Sequence, residues 1–451
     1  MLDLPNNQIR YCMLKYIFII TLLLPVVTLA QNVKDSTEKW NTHFQLTVID
    51  QSHPSFKAAY SGDNSLSPDA EEALSLTTTI FIGRKLWKGA VVYFNPEVSG
   101  GRGVSGATGI AGFANGETFR IGNPTPALYL GRLFLRQYIA LSKDEELVQS
   151  DKNQLKEYVP KKRIVITAGK FALSDLFDNN SYSHDPRTQF VNWSLMSNGA
   201  WDYPANTRGY TDGVVLEYIT PSWEVRAAGT LVGTYANGPD FDYHFWDAYS
   251  NTVEFTKNMS FDKRKGKVSL LLYRNVSKAP VYRDVINNYL NHSDPSLDVV
   301  NGKNYGNVKY GFGINAEQEL SSYLGAFFRT SWNDGKTATW AFTEIDRSIS
   351  LGFNYKGDQW KRPDDNFGIA GVVNGISNDH IDFLRIGGYG FIIGDGKLTN
   401  YNTEKIAEAY YTAKINKNLF LSADYQFVVN PAYNTGRGPV SLFAIRAHIE
   451  F

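Results

Sequence analysis

The chain has 451 residues, with 45 Lys and Arg against 45 Asp and Glu, so its formal net charge is zero. This balance argues against a nucleic-acid-binding protein, which would favour a basic face. Aromatic residues make up 14% of the chain and there are 38 Gly, while only four Met and one Cys occur. Abundant aromatic residues and glycines are typical of many strands and turns, so we expect an all-β protein.

The N-terminal segment MLKYIFIITLLLPVVTLAQ begins at Met13. A basic residue is followed by an apolar run that ends at Leu29, and a small residue, Ala30, comes next. This pattern predicts a secretory signal peptide over residues 1–30, which implies export by the general secretory route. A membrane anchor is the alternative, and the short apolar core disfavours it. The single Cys precedes the predicted cleavage site, so the mature chain would have no disulfide and no thiolate metal site.

After a short N-terminal lead at residues 31–39, alternating apolar and polar residues predict one strand after another. Segments such as NLFLSADYQFVV, SWEVRAAGTLVG and YLGAFFRTSW follow a period of two, and helical spacing explains none of them. No stretch here approaches the roughly 18 apolar residues of a membrane helix. We predict about 16 strands, near residues 41–51, 72–84, 90–99, 127–142, 162–173, 209–220, 222–234, 249–261, 266–278, 305–319, 322–333, 342–356, 364–376, 403–416, 418–430 and 439–451.

The connections between these strands alternate in length. Tight connections such as TPS at 220–222 and NKN at 416–418 alternate with long ones such as 100–126 and 279–304. Outer-membrane barrels have this arrangement, with short periplasmic turns and long extracellular loops. We therefore predict a single transmembrane antiparallel β-barrel over residues 40–451 in a Gram-negative outer membrane. Residues 143–161 fit this pattern poorly, and we interpret them either as an extended periplasmic turn or as an error in the strand count.

The last predicted strand, VSLFAIRAHIEF, has one apolar and one charged face. Arg446, His448 and Glu450 alternate with apolar side chains, which in a membrane barrel would face the lipid. Its final residue, Phe451, resembles the signal by which the barrel assembly machinery recognises outer-membrane proteins. Aromatic residues near strand ends would supply the interfacial girdles, and these are Trp40, Trp223, Trp332 and Tyr425.

Two stretches, Asn95–Gln137 and Ala168–Tyr218, resemble the carbohydrate-selective porin (OprB-like) family of Gram-negative outer membranes. The motifs that carry the resemblance are GIAGFANGE, GKF, LFDNN, DPRTQF, NWSLM and GAWDYPANTRGY. The resemblance implies a 16-stranded barrel whose extracellular loops fold inward and narrow the lumen. It also implies passive uptake of sugars, either monosaccharides or small oligosaccharides.

Residues 174–208 form a loop too long for a hairpin, and we interpret it as a constriction loop. Carboxylates and guanidinium groups would bond sugar hydroxyls, and aromatic rings would stack on the apolar faces of the sugar. The alternative is that these side chains only pin the loop to the barrel wall. The candidate residues in this loop are Asp175, Asp178, Asp185, Arg187, Trp193, Trp201, Asp202 and Arg208.

Opposite this loop, inward strand positions supply candidates for the lumen wall. Period two places Arg132 and Arg136 on one face of their strand and Tyr129 on the other face, and it turns Glu97 inward. Arg102 and Arg120 lie in the Gly-rich loop and could reach the constriction from above. For each of these residues the alternative is a structural salt bridge inside the barrel.

Other functions have weaker support. Ser183, His184 and Asp185 invite a hydrolase interpretation, but adjacency in sequence is no evidence for a catalytic triad. The sequence has no GxSxG, HExxH or phosphate-loop motif, no metal-ligand spacing and no cofactor motif. We therefore expect a channel and not an enzyme. The alternatives are a general or other-substrate channel, a barrel-embedded lipase and a secreted sugar-binding lectin. The strands are compatible with a homotrimer and with a monomer.

Overall fold

The structure, a computed structural model, describes residues 37–120, 122–396 and 398–451; the predicted signal peptide lies outside these residues. In chain order the strands are β1 (Trp40–His53), β2 (Glu71–Trp87), β3 (Ala90–Gly101), β4 (Ala127–Ala140), β5 (Glu145–Val148), β6 (Glu157–Pro160), β7 (Arg163–Phe171), β8 (Thr211–Ile219), β9 (Trp223–Thr230), β10 (Tyr249–Phe261), β11 (Arg264–Ser277), β12 (Asn307–Ser321), β13 (Leu324–Asn333), β14 (Arg347–Gly357), β15 (Arg362–Gly375), β16 (Glu404–Lys414), β17 (Leu419–Val429) and β18 (Val440–Glu450). All of them except β5 and β6 form one closed barrel.

Each barrel strand pairs with the next one in the chain, and β1 pairs with β18 to close the sheet. All of these pairs are antiparallel, and the closing pair runs from Gln45 opposite Glu450 to Ser52 opposite Phe443. Closure gives every strand a neighbour on both sides, so no backbone edge is left unpaired in the lipid. The predicted sixteen-stranded, all-β barrel is therefore confirmed.

The two faces of the barrel differ as the alternation predicts. Along β18, Phe443 and Ile445 are 50% and 61% exposed on the outer face, whereas Arg446 and His448 are buried inside the barrel. The same contrast follows β17, where Leu421 and its outward neighbours are apolar. No helix among the described residues is long and apolar enough to cross a membrane.

The long connections, which lie at one end of the barrel, are residues 54–70, 102–126, 172–210, 231–248, 278–306, 334–346, 376–403 and 430–439. At the other end, six of the connections have only two to four residues. By the rule for outer-membrane barrels the short connections are periplasmic. The exception at this end is the connection at residues 141–162, in which β5 and β6 pair as a separate hairpin. The strand count was therefore correct, and residues 143–161 form an extended turn with a structure of its own.

The extracellular loops carry the helices, which are α1 (Trp193–Met196), α2 (Tyr282–Leu290) and α3 (Asn378–Arg385). Asn192 caps the start of α1 by accepting from the backbone N–H of Ser194, and Ser377 caps α3 in the same way. Loop side chains form much of a large buried cluster, which includes Trp201 and Trp340. The protein core is therefore partly inside the barrel, where the loops occupy the lumen.

Candidate functional site

Residues 172–210, the loop between β7 and β8, cross the lumen and bond to the opposite wall. The Asn180 side chain donates to Asn315 on β12 at 2.7 Å, and Arg446 on β18 donates to the Pro186 carbonyl at 2.6 Å. A long loop held at its far side in this way reduces the open cross-section of the barrel.

A second loop, residues 102–126, packs against the first. The Trp193 backbone N–H donates to the Phe113 carbonyl at 2.9 Å, and that of Gly116 donates to Val191 at 2.7 Å. Glu404 on β16 fixes the same loop from the wall, because its carboxylate accepts two backbone N–H groups, one of them from Gly112 at 2.7 Å. The two loops thus form one layer across the barrel.

Two cavities that lie beside this layer are relevant to passage through the barrel. The larger, about 530 Å³, lies between the loops and the wall of β4, β7 and β8, and the smaller, about 90 Å³, lies closer to the extracellular loops. Five charged or aromatic side chains line both cavities, and these are Glu117, Arg187, Tyr203, Arg208 and Tyr210. We call these five side chains the neck, since they lie where the two cavities meet.

The neck combines charges of both signs with aromatic rings. Arg187 Nε lies 3.1 Å from Glu117 Oε2, and the Arg208 guanidinium lies 4.0 Å from the centre of the Tyr129 ring. Burial raises the pKa of the Glu117 carboxyl to about 7, although the charge of Arg187 acts in the opposite direction. The neck can therefore offer hydrogen-bond donors, acceptors and apolar ring faces to a solute.

Below the neck, the wall of the larger cavity carries a bidentate ion pair. Arg132 donates from Nε and Nη2 to the two carboxylate oxygens of Asp175, at 2.6 and 2.8 Å. Burial alone would raise the pKa of Asp175, but Arg132 holds it below its ordinary value. Arg136 lines the same cavity and donates to the backbone carbonyl of Asn153 at 3.2 Å. The charged side chains of this wall are thus held in place by bonds to other residues of the protein.

A β-bulge in β4 corrects one prediction about this wall. Arg132 pairs with Asn95, but Leu130 pairs with Pro96, so one extra residue stands in β4 between them. The bulge reverses the side-chain alternation, and Tyr129 points inward, where its hydroxyl donates to Glu97. The prediction that Tyr129 faces the side opposite Arg132 was therefore wrong.

Eight of the thirteen candidate residues line one or both cavities. Six of them line the larger cavity: Arg132, Arg136, Asp175, Asp185, Arg187 and Arg208. Glu97 and Trp193 line the smaller one. Glu97 accepts hydrogen bonds from Thr79 and Tyr210 at 2.6 and 2.8 Å, and the ring of Trp193 stacks on Phe342 at 5.0 Å.

Three other candidates of the 172–210 loop lie away from both cavities, in its anchors. Asp178 is buried against Arg329 on β13, with 3.1 Å between Oδ1 and Nε. Asp202 accepts the backbone N–H groups of Trp340 and Ala341 at 2.9 and 2.8 Å. Trp201 is fully buried in the cluster of loop side chains. For these three residues the structure agrees with the alternative interpretation, in which they hold the loop in place.

The two arginines of the 102–126 loop also line neither cavity. Arg120 donates from Nε to the Phe391 carbonyl at 2.7 Å, so it joins two extracellular loops. Arg102 is exposed at the surface.

Among the cavity-lining residues that were missing from the sequence-based candidates are Glu117, Tyr210 and Lys152. Glu117 and Tyr210 each end a motif that carries the family resemblance, GIAGFANGE and GAWDYPANTRGY, so that resemblance was a usable signal. Lys152 had no such signal, because its position depends on how the hairpin of β5 and β6 folds.

The residues named in the hydrolase interpretation do not form a triad. Ser183 Oγ donates to the Leu195 carbonyl at 2.7 Å instead of to an imidazole. Among residues 37–120, 122–396 and 398–451, no group of three or more His, Cys, Asp or Glu is placed to hold a metal ion.

Both the sequence and the structure are similar to those of known proteins. A family model described as "Carbohydrate-selective porin, OprB family" matches residues 70–451. The high-pH structure of Pseudomonas putida OprB is similar, with a TM-score of 0.67 at 16% identity, over 92% of this chain and 94% of that chain. The outer membrane channel DcaP of Acinetobacter baumannii has a TM-score of 0.52 at 11% identity, over 93% and 99% of the two chains. No curated protein matches the sequence.

Proposed function

The chain belongs to the carbohydrate-selective porin, OprB family, and we propose that sugars cross its barrel through the neck. As a member of this family it is an outer-membrane porin for the passive diffusion of sugars. The observation that supports the neck as the site of passage is that its five side chains line both cavities. A solute that passes from one cavity to the other must move between them.

The chemistry of the neck suits a sugar. Arg187 and Arg208 can donate to hydroxyl groups and Glu117 can accept from them, while the Tyr203 and Tyr210 rings offer faces to the apolar side of a sugar. Each contact contributes on the order of 1 kcal/mol. A few such contacts give millimolar or weaker affinity, so a bound sugar is released readily.

Below the neck, the fixed charges of the wall orient polar solutes. Arg132 and Asp175 place opposite charges side by side on the larger cavity, and Arg136 adds a positive charge nearer the periplasm. Paired charges of both signs attract the dipole of a polar solute without favouring a net charge. Since the whole chain is neutral, any ion preference arises from these local groups.

We infer that the chain is a channel without catalytic activity. Ser183 is the candidate nucleophile of the hydrolase interpretation. Its hydroxyl donates to a backbone carbonyl and not to a general base, which supports this inference. Turnover of ester or glycoside substrates by the purified protein would contradict it.

An outer-membrane porin must also be exported, inserted into the lipid and assembled. We propose export by the general secretory route with removal of residues 1–30, contact of the apolar outer face with outer-membrane lipid, and recognition of Phe451 by the barrel assembly machinery. Light scattering of the purified protein in detergent distinguishes a homotrimer from a monomer.

Conductance of single channels in planar bilayers tests the neck. We expect Arg187→Gln and Arg208→Gln each to weaken the block of current by added glucose about three- to ten-fold, since each removes a charged donor. Arg102→Gln is the matched control, because this exposed arginine belongs to a neighbouring loop and lines neither cavity.

Equal sugar block in the two neck variants and in the Arg102→Gln control would refute the neck as the site of passage. The assignment to the porin family would survive that result, because it depends on the match over residues 70–451.

A further inference from the structure

One connection at the periplasmic end of the barrel is longer than closure of the sheet requires. Six connections at this end need only two to four residues, but residues 141–162 join β4 to β7 through the hairpin of β5 and β6. We call residues 149–156, between these two short strands, the hairpin tip.

The hairpin tip is folded up into the lumen. The Asn41 side chain at the start of β1 donates to the Gln154 carbonyl at 2.6 Å, and Asn95 in the middle of β3 donates to Asn153 at 2.9 Å. Asn95 is paired with Arg132, so the tip reaches the height of the charged wall. Leu155 is 1% exposed, which shows that the tip is packed into the barrel and does not project into the periplasm.

Four consecutive residues of the hairpin tip, 151–154, line the larger cavity together with Asp185 and Arg187 from the extracellular loop. This cavity therefore has the neck on its extracellular side and the tip on its periplasmic side. Lys152 Nζ lies 3.4 Å from Gln45 and 3.3 Å from Glu450, and its side chain remains 30% exposed. The ammonium group thus stands at the cavity surface with donor capacity for a solute.

Lys152 and Asp185 line the same cavity, with opposite charges. Burial alone would raise the pKa of the Asp185 carboxyl, but Arg187 and then Lys152 draw it well below its ordinary value. A solute between Lys152 and Asp185 would therefore meet a donor on one side and an acceptor on the other.

We propose that the hairpin tip is a second selectivity element, at which a sugar leaving the neck bonds to Lys152 before it enters the periplasm. The inference rests on the proposed function, because it needs the sugar to traverse the neck. The two elements act in series, one supplied by the extracellular loops and the other by a periplasmic turn.

Lys152→Gln tests this proposal with little change in shape, and Lys161→Gln is the matched control, because Lys161 is exposed at the base of the hairpin and lines neither cavity. Protein is added to one side of a planar bilayer to fix the orientation of the channels, and glucose is then added to either side. Current noise gives the rate of sugar entry from each side and the constant for block. Heat-modifiable migration in gels checks that both variants fold.

We expect Lys152→Gln to weaken sugar block about three- to ten-fold and to change the entry rate from the periplasmic side only. Replacement of the tip with a two-residue turn should raise conductance and speed periplasmic entry, while entry from the extracellular side is unchanged. If Lys152→Gln matches the Lys161→Gln control while Arg187→Gln still weakens block, the second element is refuted and the neck stands. If glucose fails to block the wild-type channel, the proposed function and this inference both fall.

Discussion

Glu117 is the group in the neck whose charge is most sensitive to pH near neutrality. Its carboxyl is buried beside Arg187, and the negative charges of Asp185 and Glu97 oppose its ionisation as burial does. With a pKa raised to about 7, it is half protonated where most carboxyls are fully charged. The neck therefore carries one negative charge above this pH and none from Glu117 below it, whereas its two arginines stay positive throughout.

We predict that anion preference rises as the pH falls through about 7. Protonation of Glu117 removes one negative charge beside Arg187, so the permeability to chloride rises relative to that to potassium. Reversal potentials in a KCl gradient, from about pH 6 to about pH 9, measure this change. Glu117→Gln should give the low-pH preference at every pH, and a wild-type profile as flat as that of the variant would contradict the prediction.

At the scale of elements, the 172–210 loop depends on buried polar anchors. Asp178 accepts from Arg329, Asn198 and Asn315 inside the barrel, at distances between 2.6 and 3.1 Å. Removal of one partner from a buried ion pair of this kind strongly destabilises the protein. The position of the loop, and with it the width of the neck, therefore depends on a residue that lines neither cavity.

We predict that Asp178→Asn destabilises the barrel and increases open-channel noise. Loss of the carboxylate leaves Arg329 buried without its counter-ion, which costs about 3–5 kcal/mol, and the loosened loop then fluctuates. Thermal unfolding in detergent and single-channel recordings measure the two effects. The control is Asp379→Asn, which removes an exposed ion pair with Arg283 on the loop helices, and it should leave both unchanged. Equal behaviour of the two variants would show that the loop is held by other contacts.

The sequence predicted the positions of the strands better than it predicted which residues contact one another. Alternation located all sixteen barrel strands, because each strand separates lipid from lumen and therefore repeats every two residues. It failed at Tyr129, where a single inserted residue reverses the faces, and it could not place the hairpin tip, whose contacts come from β1 and β3.

The same limit explains the mixed outcome for the loop candidates. Asp175 and Asp178 stand three residues apart in the same loop, yet one lines a cavity and the other is buried against Arg329 on β13. Residue type indicates that a carboxylate will find a polar partner, but only the fold determines whether that partner is a solute or the barrel wall.

At the scale of the whole molecule, the barrel closes where β18 meets β1. Phe451 continues this pairing beyond the end of β18, since its N–H donates to the Phe44 carbonyl at 3.0 Å and its carbonyl accepts from Phe44 at 3.2 Å. The two rings lie 6.1 Å apart, and the Phe451 side chain is 45% exposed. The residue thus contributes little to the core, and its side chain remains partly exposed on the folded barrel.

We predict that deletion of Phe451 lowers the amount of folded porin in the outer membrane several-fold and leaves the conductance of the inserted channels unchanged. The loss of two backbone hydrogen bonds is local, whereas loss of the recognition signal would act before insertion. Heat-modifiable protein in outer-membrane fractions measures assembly. Phe451→Tyr keeps the aromatic ring and should assemble normally, and equal assembly of the deletion variant would refute the signal.

The loop that crosses the lumen also has a mechanical consequence. It is bonded at one side through Asp175 to Arg132 and at the other through Asn180 and Pro186 to β12 and β18. Lateral pressure from the bilayer that would flatten an empty cylinder into an ellipse must first stretch or break these bonds. The constriction therefore also acts as an internal brace that resists deformation of the aperture.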